Sequence, residues 1–401
     1  MDHYDIAICG GGLTGLLLAN LLKSSRYSIA VIDAGAAPGI PVMNSSEPHQ
    51  GSFASGFAPR VSALNNHSVD LLSRCGVEAG LTRFAPFSEM HIKDSEGVAE
   101  IQFDAAGLGQ DGLGIVIENH LVIAALFEGL QGQGNLDLLL QHKLVELERF
   151  EDKNELEFAE HPAISCDLLV AADGGHSKVR ELRGGKTFGW QYDQTALVTT
   201  LLLERPHGNI PRQWFTEFGP LAFLPLAEPN LVSIVWSHQA AAELLELDPV
   251  GFCAALNEAS EGELGNVLAT DARFTFPLRQ QHAIRYTEPG IALIGDAAHT
   301  IHPLAGQGAN LGFADAAALA SEIHQAKFSD LELHDRRLLQ RFAASRQPHN
   351  LVMASAIEAI KQLYGRQNLA LSFFRNRAMS MLNQSQTLKT LMMKVATGEG
   401  I

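Results

Sequence analysis

The first 33 residues constrain this chain more than any other stretch. Tyr4-Asp5-Ile6-Ala7-Ile8-Cys9 is a mostly apolar run, as a parallel strand buried on both faces requires. It enters Gly10-Gly11-Gly12-Leu13-Thr14-Gly15, and the LLLANLLKSS that follows has helical character. Ser28–Asp33 is a second apolar run ending in an acid, 18 residues beyond Gly15. Strand, glycine turn, helix start, second strand and terminal carboxylate are the parts of a dinucleotide-binding βαβ unit. Its glycines let backbone approach a pyrophosphate, its helix amides face the charge, and its acid accepts from a ribose hydroxyl. A chain that begins this way is committed to an α/β class with a mostly parallel sheet.

The glycine pattern alone is weak, and the chain contains its own control. Gly107-Leu108-Gly109-Gln110-Asp111-Gly112 has the same spacing but leads into Leu113–Ile117, a strand and not a helix. Lacking the context, it reads as a surface loop.

A second device lies in residues 290–320. The apolar Ile291–Ile294 stops at Gly295-Asp296, a loop with Pro303, Gly306 and Gly308 follows, and an Ala-rich helix begins near Gly308. Helix-start amides favour an electron-rich group, and Asp296 can accept from ribitol-type hydroxyls. The two devices together point to FAD. Between them, Cys166–Ala172 reads as another buried strand, ending at Asp173-Gly174 on the ligand side.

The rest of the chain separates by texture. Residues 36–59, rich in Gly, Pro, Ser and Asn, read as a long mobile loop, and Arg60-Val61-Ser62-Ala63-Leu64 is expected to open a helix through about Cys75. Residues 86–104 read as strands, Asn119 begins a helix, and 136–158 reads as a meander. From about 185 to 280, consecutive β-type runs (196–203, 213–216, 221–224, 231–236) predict an inserted antiparallel sheet. Trp190, Trp214 and Trp236, in or near it, read as core filling. The expected architecture is a Rossmann-like FAD domain (1–75, 116–182, 281–349), a substrate domain (76–115, 183–280) and a C-terminal helical segment (350–401).

Charge and cysteines exclude several classes. A net charge of −16 argues against nucleic-acid binding, which needs clustered Lys and Arg. Cys9, Cys75, Cys166 and Cys253 form no C-x-x-C pair, and neither a metal ligand set nor a disulfide framework is indicated. No G-x-S-x-G elbow supports Ser/His/Asp hydrolysis. Without a signal peptide or a spanning run of roughly 18 apolar residues, a cytoplasmic protein is expected, with peripheral contact at the inner membrane left open. Residues 350–401 bear on that contact. They carry six cationic residues against Glu358 and Glu399, net +4, and five of the eight methionines. Such a segment suits an anionic surface or a partner groove, in a biosynthetic complex or a homo-oligomer, and equally suits ordinary helix packing.

Three signatures now stand in order: Gly10–Gly15 with Asp33, Asp173-Gly174, and Gly295-Asp296 with the loop to Gly312. Together they resemble the FAD-dependent aromatic hydroxylases of the p-hydroxybenzoate hydroxylase type. WQYDQTALV, LAFLPLAEPNLVSIVWS and GDAAHTIHPLAGQGANLGFADAAAL resemble the ubiquinone-biosynthesis branch, above all the 2-polyprenylphenol hydroxylases. The likeness runs from residue 4 to about 395. ADGGHS in place of ADGANS and Ala314 in place of a larger residue are modest departures.

The resemblance implies that Gly10, Gly12, Gly15 and Asp33 bind the ADP half of FAD. It implies that Arg60, Asn119, Asp173 and Gly174 contact cofactor, and that Asp296, with Gly295, holds the ribityl chain. Gly306, Gly308, Asn310 and Leu311 would form the helix start beneath the flavin. It further implies reduction by NAD(P)H and transfer of one oxygen atom from O2 to a lipid-like phenol, with Pro303 as a wall beside the flavin. His302, or His299, could tune a phenol or the flavin, although a loop histidine is more often structural. A hydroxylase of a soluble aromatic acid, or a silent FAD-binding scaffold subunit, are the competing readings. The apolar strands at 196–203, 221–224 and 231–236 favour the lipid-like phenol over the acid.

Overall fold

The computed structural model describes residues 1–38, 54, 56–95, 100–326 and 331–364. Most of the glycine-rich loop (39–53 and 55) and the segment 365–401 lie outside these residues.

The first sheet follows from the two apolar runs at the N-terminus. Asp2–Cys9 lies at its centre between Ile29–Asp33 and Ile164–Ala171, parallel to both, so that Ile8 faces Val31 on one side and Val170 on the other. Leu136–Leu140 extends the parallel order beyond Ile29–Asp33, and Ile291–Leu293 extends it beyond Ile164–Ala171. Ile6, Ile8, Val31, Leu168 and Val170 have no exposed surface, which is why these strands are apolar runs without alternation. Helices Leu13–Leu22 and Gln307–Ala326 pack against each other over this core.

The second sheet is the expected one, antiparallel except where Arg212–Thr216 runs parallel to Glu89–Asp94, and it is built on the 17-residue strand Thr187–Leu203. Phe274–Ala283 and Leu231–His238 flank it, and Gly219–Pro225, Arg212–Thr216, Glu89–Asp94 and Glu100–Asp104 continue outward. Trp214 and Trp236 are buried in its core, as expected, whereas Trp190 stands 44% exposed. The two-residue strand His299-Thr300 pairs with Gln281 and His282 and so joins the Asp296 loop to this sheet.

Two local expectations are corrected. Val61–Asn65 is a strand, paired antiparallel with Gly114–Glu118, and the helix begins only at Asn66. Asn65 is the reason: its side chain accepts from the Ser68 N–H, an N-cap that stops helix from propagating backwards. The presumed meander is split, because Leu136–Leu140 belongs to the parallel sheet and only Leu144–Phe150 and Lys153–Phe158 form a hairpin. The glycine-patterned control at 107–112 lies on a 3-10 turn and bend ahead of Gly114–Glu118, not at a helix start. One helix, Arg336–Tyr364, runs through the expected boundary at residue 349/350.

Candidate active site

The three signatures meet in space through contacts only glycine permits. Gly10 has φ +119°, and a Cβ there would lie 2.2 Å from the Ala172 carbonyl oxygen, just before Asp173-Gly174. A Cβ on Gly15 would lie 2.0 Å from the Gly10 oxygen, which sets the Leu13–Leu22 helix hard against the turn. Thr14 closes the other side. A Cβ on Gly312 would fall 2.5 Å from its Oγ1, and one on Gly295 would fall 2.8 Å away. Residues separated by nearly 300 positions thus form one cradle around Thr14.

Within that cradle some glycines pack and others open. Nothing stands within 4 Å of the Cβ positions of Gly12, Gly174 or Gly308, whereas Gly306 rests on Ala63. Open space at Gly12 beside the start of Leu13–Leu22, and at Gly308 beside the start of Gln307–Ala326, leaves two helix N-termini accessible to an electron-rich ligand.

The acids divide their duties. Asp33 accepts from Gly11 N–H at 2.6 Å and Gly35 N–H at 2.7 Å, which shapes the glycine turn while each oxygen keeps a second lone pair. Asp173 Oδ2 caps the Lys178–Leu182 helix through the Lys178 and Val179 amides, and its buried Oδ1 has no protein partner. Asp296 accepts no side-chain hydrogen bond among the described residues. Its side chain is exposed to solvent, with protein packed around it. The surrounding protein raises its pKa by desolvation, against the lowering effect of His299, Arg279 and Arg60. An acid so placed lacks only a donor of ligand hydroxyl type.

The remaining predicted positions resolve as follows. The exposed Arg60 places its guanidinium 5.7 Å from the Phe276 ring centroid and close enough to Asp296 to influence it. Asn119 begins its helix as expected, with its Oδ1 accepting from Ser62 Oγ at 2.7 Å. The buried Asn310 side chain is fully engaged, accepting from Asn65 N–H and Ser68 Oγ and donating to the Ala63 oxygen. Only its backbone could serve a cofactor. Leu311 joins Phe215, Ile301, Leu304, Met353 and Ile357 in a buried apolar cluster. Pro303 caps the short turn Leu304–Gly306.

His302 and His299 are opposites. His302 is 1% exposed with neither ring nitrogen partnered, and burial followed by Lys361 drives its pKa down to about 3. It stays neutral at any working pH, edge-on to Tyr192 with ring centroids 5.2 Å apart. His299 instead donates from Nε2 to Asp315 at 2.6 Å.

Asp315 is the group the sequence reading missed. It has no exposed surface and accepts from Gly295 N–H, His299, Arg346 Nε at 2.8 Å and Asn350 Nδ2 at 2.9 Å. Burial would raise its pKa, but His299 first and Arg346 second hold it at about 2. One carboxylate therefore pins the Gly295-Asp296 turn to two helices. Its sequence signal was present: four residues after Leu311 and four before Leu319, it puts a charge on the buried stripe of the helix.

Open helix starts, an exposed carboxylate lacking a donor and a Thr14 junction that leaves room at Gly12 fit a dinucleotide with a polyol chain. The fold and this cradle define a flavoprotein of the FAD-dependent monooxygenase class. The sequence profile of the FAD binding domain matches residues 3–327, and that of squalene epoxidase matches 266–398. The 3-demethoxyubiquinol 3-hydroxylase of Escherichia coli (strain K12) is 33% identical over 399 residues, covering 98% of each chain. The mitochondrial ubiquinone biosynthesis monooxygenase COQ6 of Danio rerio is 32% identical over 447 residues, covering 99% of this chain and 90% of the relative. The p-nitrophenol 4-monooxygenase PnpA of Pseudomonas putida DLL-E4 shares the fold with a TM-score of 0.78, at 17% identity and full coverage of both chains. The chain belongs to the family of FAD-dependent hydroxylases that the first two relatives represent. Among the described residues, no helix is long and apolar enough to cross a membrane.

Asp296→Ala should lower FAD occupancy in the purified protein while its apo form melts as the parent does. Full occupancy, read from the flavin spectrum against protein concentration, would remove Asp296 from the site.

Proposed function

We propose that this enzyme inserts one oxygen atom of O2 into the ring of a polyprenylated phenol or quinol in ubiquinone biosynthesis, using NAD(P)H as reductant. The observation that carries this reading is the end-to-end match to two relatives named for ubiquinone biosynthesis.

Bound FAD supplies the two-electron reduction and the oxygen activation that side chains lack. The chain's own residues do the rest. Gly10–Gly15 and Asp33 hold the ADP half, and Asp296 accepts from the polyol. The amide end of Gln307–Ala326 favours negative charge on the ring system. Pro303 would offer a rigid wall with no N–H to compete. NAD(P)H, H+, O2 and the phenol give NAD(P)+, water and the hydroxylated ring. Holoenzyme incubated with NAD(P)H, oxygen and a short-chain prenylated phenol should yield an O2-dependent product heavier by one oxygen atom. Turnover of a soluble aromatic acid with none of the prenylated phenol would overturn the assignment.

His302→Ala should slow hydroxylation or divert reducing equivalents to peroxide, leaving flavin reduction intact. The neutral, unpartnered ring lies edge-on to Tyr192 and near Lys361 of the C-terminal helix. Loss of NAD(P)H-driven reduction with FAD still bound would show the ring serving the reductive half instead.

A further inference from the structure

We propose that the face carrying Lys186, Phe188, Trp190 and Arg285 docks on an anionic lipid bilayer, with a phosphate headgroup entering the adjacent cavity. The proposal deepens the prenylated-substrate reading, because an enzyme acting on such a substrate must meet it at a bilayer. Its geometry stands independently of that reading.

A cavity of about 300 Å³ opens where the Lys178–Leu182 helix meets the end of Phe274–Ala283. Ile291 and Leu293 contribute to its floor, and Arg180, Arg183, Lys186 and Arg285 supply cations, Arg180 being engaged by the Ala297 and Gly175 oxygens. Arg183 is loosely paired with Glu288 at 3.3 Å. Lys186 and Arg285 are exposed and make no ion pair among the described residues. In a chain of −16, four cations against the single acid Glu288 around one recess form a local exception.

An apolar strip starts at the lip of this cavity. Ile284, 50% exposed, lines the cavity and donates its N–H to the Lys186 oxygen. Phe188 and Trp190 follow two and four residues after Lys186 on one face of the strand, 43% and 44% exposed. The C-terminal helix runs alongside: Gln347 Nε2 donates to the Ile284 oxygen, and Tyr192 donates to Glu358 at 2.6 Å. Leu351, one turn beyond Gln347 on the same helix face, is 41% exposed. Lys361 lies over the Tyr192 ring at 3.7 Å and ends the strip with another cation.

A single exposed apolar residue needs no explanation, whereas a continuous strip including Trp and Phe, bounded by cations at both ends, does. Tryptophan suits the bilayer interface, where its ring is buried and its N–H stays wet. Charge selects the occupant. An acidic protein is repelled by an anionic bilayer in most orientations, so a cationic edge beside the strip both attracts the molecule and orients it.

The test uses full-length holoenzyme and phosphatidylcholine vesicles with or without about one third phosphatidylglycerol. Co-sedimentation should be about tenfold greater with the anionic vesicles and should weaken with salt. Lys186→Glu with Arg285→Glu should reduce it to the neutral-vesicle level, and Trp190→Ser should weaken it at every salt concentration. FAD content and NAD(P)H oxidation should be unchanged in all variants. Equal binding to neutral vesicles, or full binding by the double charge reversal, would overturn the proposal. A melting shift with inorganic phosphate and no vesicle binding would assign the cavity to a free anion and likewise overturn lipid docking. None of these readouts uses a phenol, so failure of the substrate assignment is seen separately.

Discussion

Asp315→Ala should destabilise the protein by about 3–5 kcal/mol and strip it of FAD, although the residue lies behind the cofactor-facing loop and not on it. The magnitude is that of breaking a buried ion pair by removing one partner. Arg346 would be left 11% exposed without its acid, and Gly295 N–H, His299 and Asn350 would each lose an acceptor. Urea melts of apo protein read the stability, and flavin content reads the cradle. Asp315→Asn keeps the shape and should cost nearly as much, because the amide nitrogen would face a donor and Arg346 would still lack a counter-charge. A variant that melts and binds FAD like the parent would show that the Gly295-Asp296 turn holds itself.

The same carboxylate sets an acid limit. Its folded pKa is about 2, against an ordinary value of 3.8, so its stabilising effect is complete above about pH 4 and is lost as pH falls through 2. A depression of that size corresponds to about 2 kcal/mol. Between pH 5 and pH 2 the parent should lose that much more stability than Asp315→Asn, and parallel losses would place the titration elsewhere. His282, pushed down to about 4 by burial and by His299, acts in the same direction at higher pH. Its neutral form is the one the fold favours, so the deficit grows as pH falls below its unfolded value near 6.5.

What the sequence disclosed follows from how local each signal is. A glycine turn with its strand and helix is contiguous, so Gly10–Gly15 and Gly295–Gly308 were readable without knowing that they meet at Thr14. The role of Asn310 is not readable, because its partners lie some 245 positions away, Ala63 and Asn65 on a strand that reads as helix and Ser68 in the helix after it. That misreading had a local cause. Arg60–Leu64 has no alternation strong enough to exclude a helix, and the decisive pairing with Gly114–Glu118 is long-range. Asp315 was overlooked because an acid in an Ala-rich helix reads as a solvated face until Arg346 and His299 are seen to converge on it.

Gly12→Val and Gly10→Val should fail in different ways, and the contrast isolates the cofactor site from the fold. At Gly12 an added Cβ meets nothing within 4 Å, and the residue has extended backbone with φ −88° and ψ −171° that valine adopts readily. The apo variant should fold and melt like apo parent. Its side chain would fill the space the pyrophosphate needs, so FAD affinity should fall by about 100-fold or more, equivalent to about 2.7 kcal/mol. At Gly10 the added Cβ would lie 2.2 Å from the Ala172 oxygen, on a backbone with φ +119° that L side chains rarely adopt. Backbone strain of about 1–3 kcal/mol combines there with an overpacking cost of about 1–3 kcal/mol. Gly10→Val should therefore lose melting temperature as well as flavin, and should accumulate in the insoluble fraction. Circular dichroism melts of both apo variants, with flavin absorbance after reconstitution, separate the outcomes. A Gly12→Val protein that remains fully yellow would mean that the first glycine turn does not receive the dinucleotide.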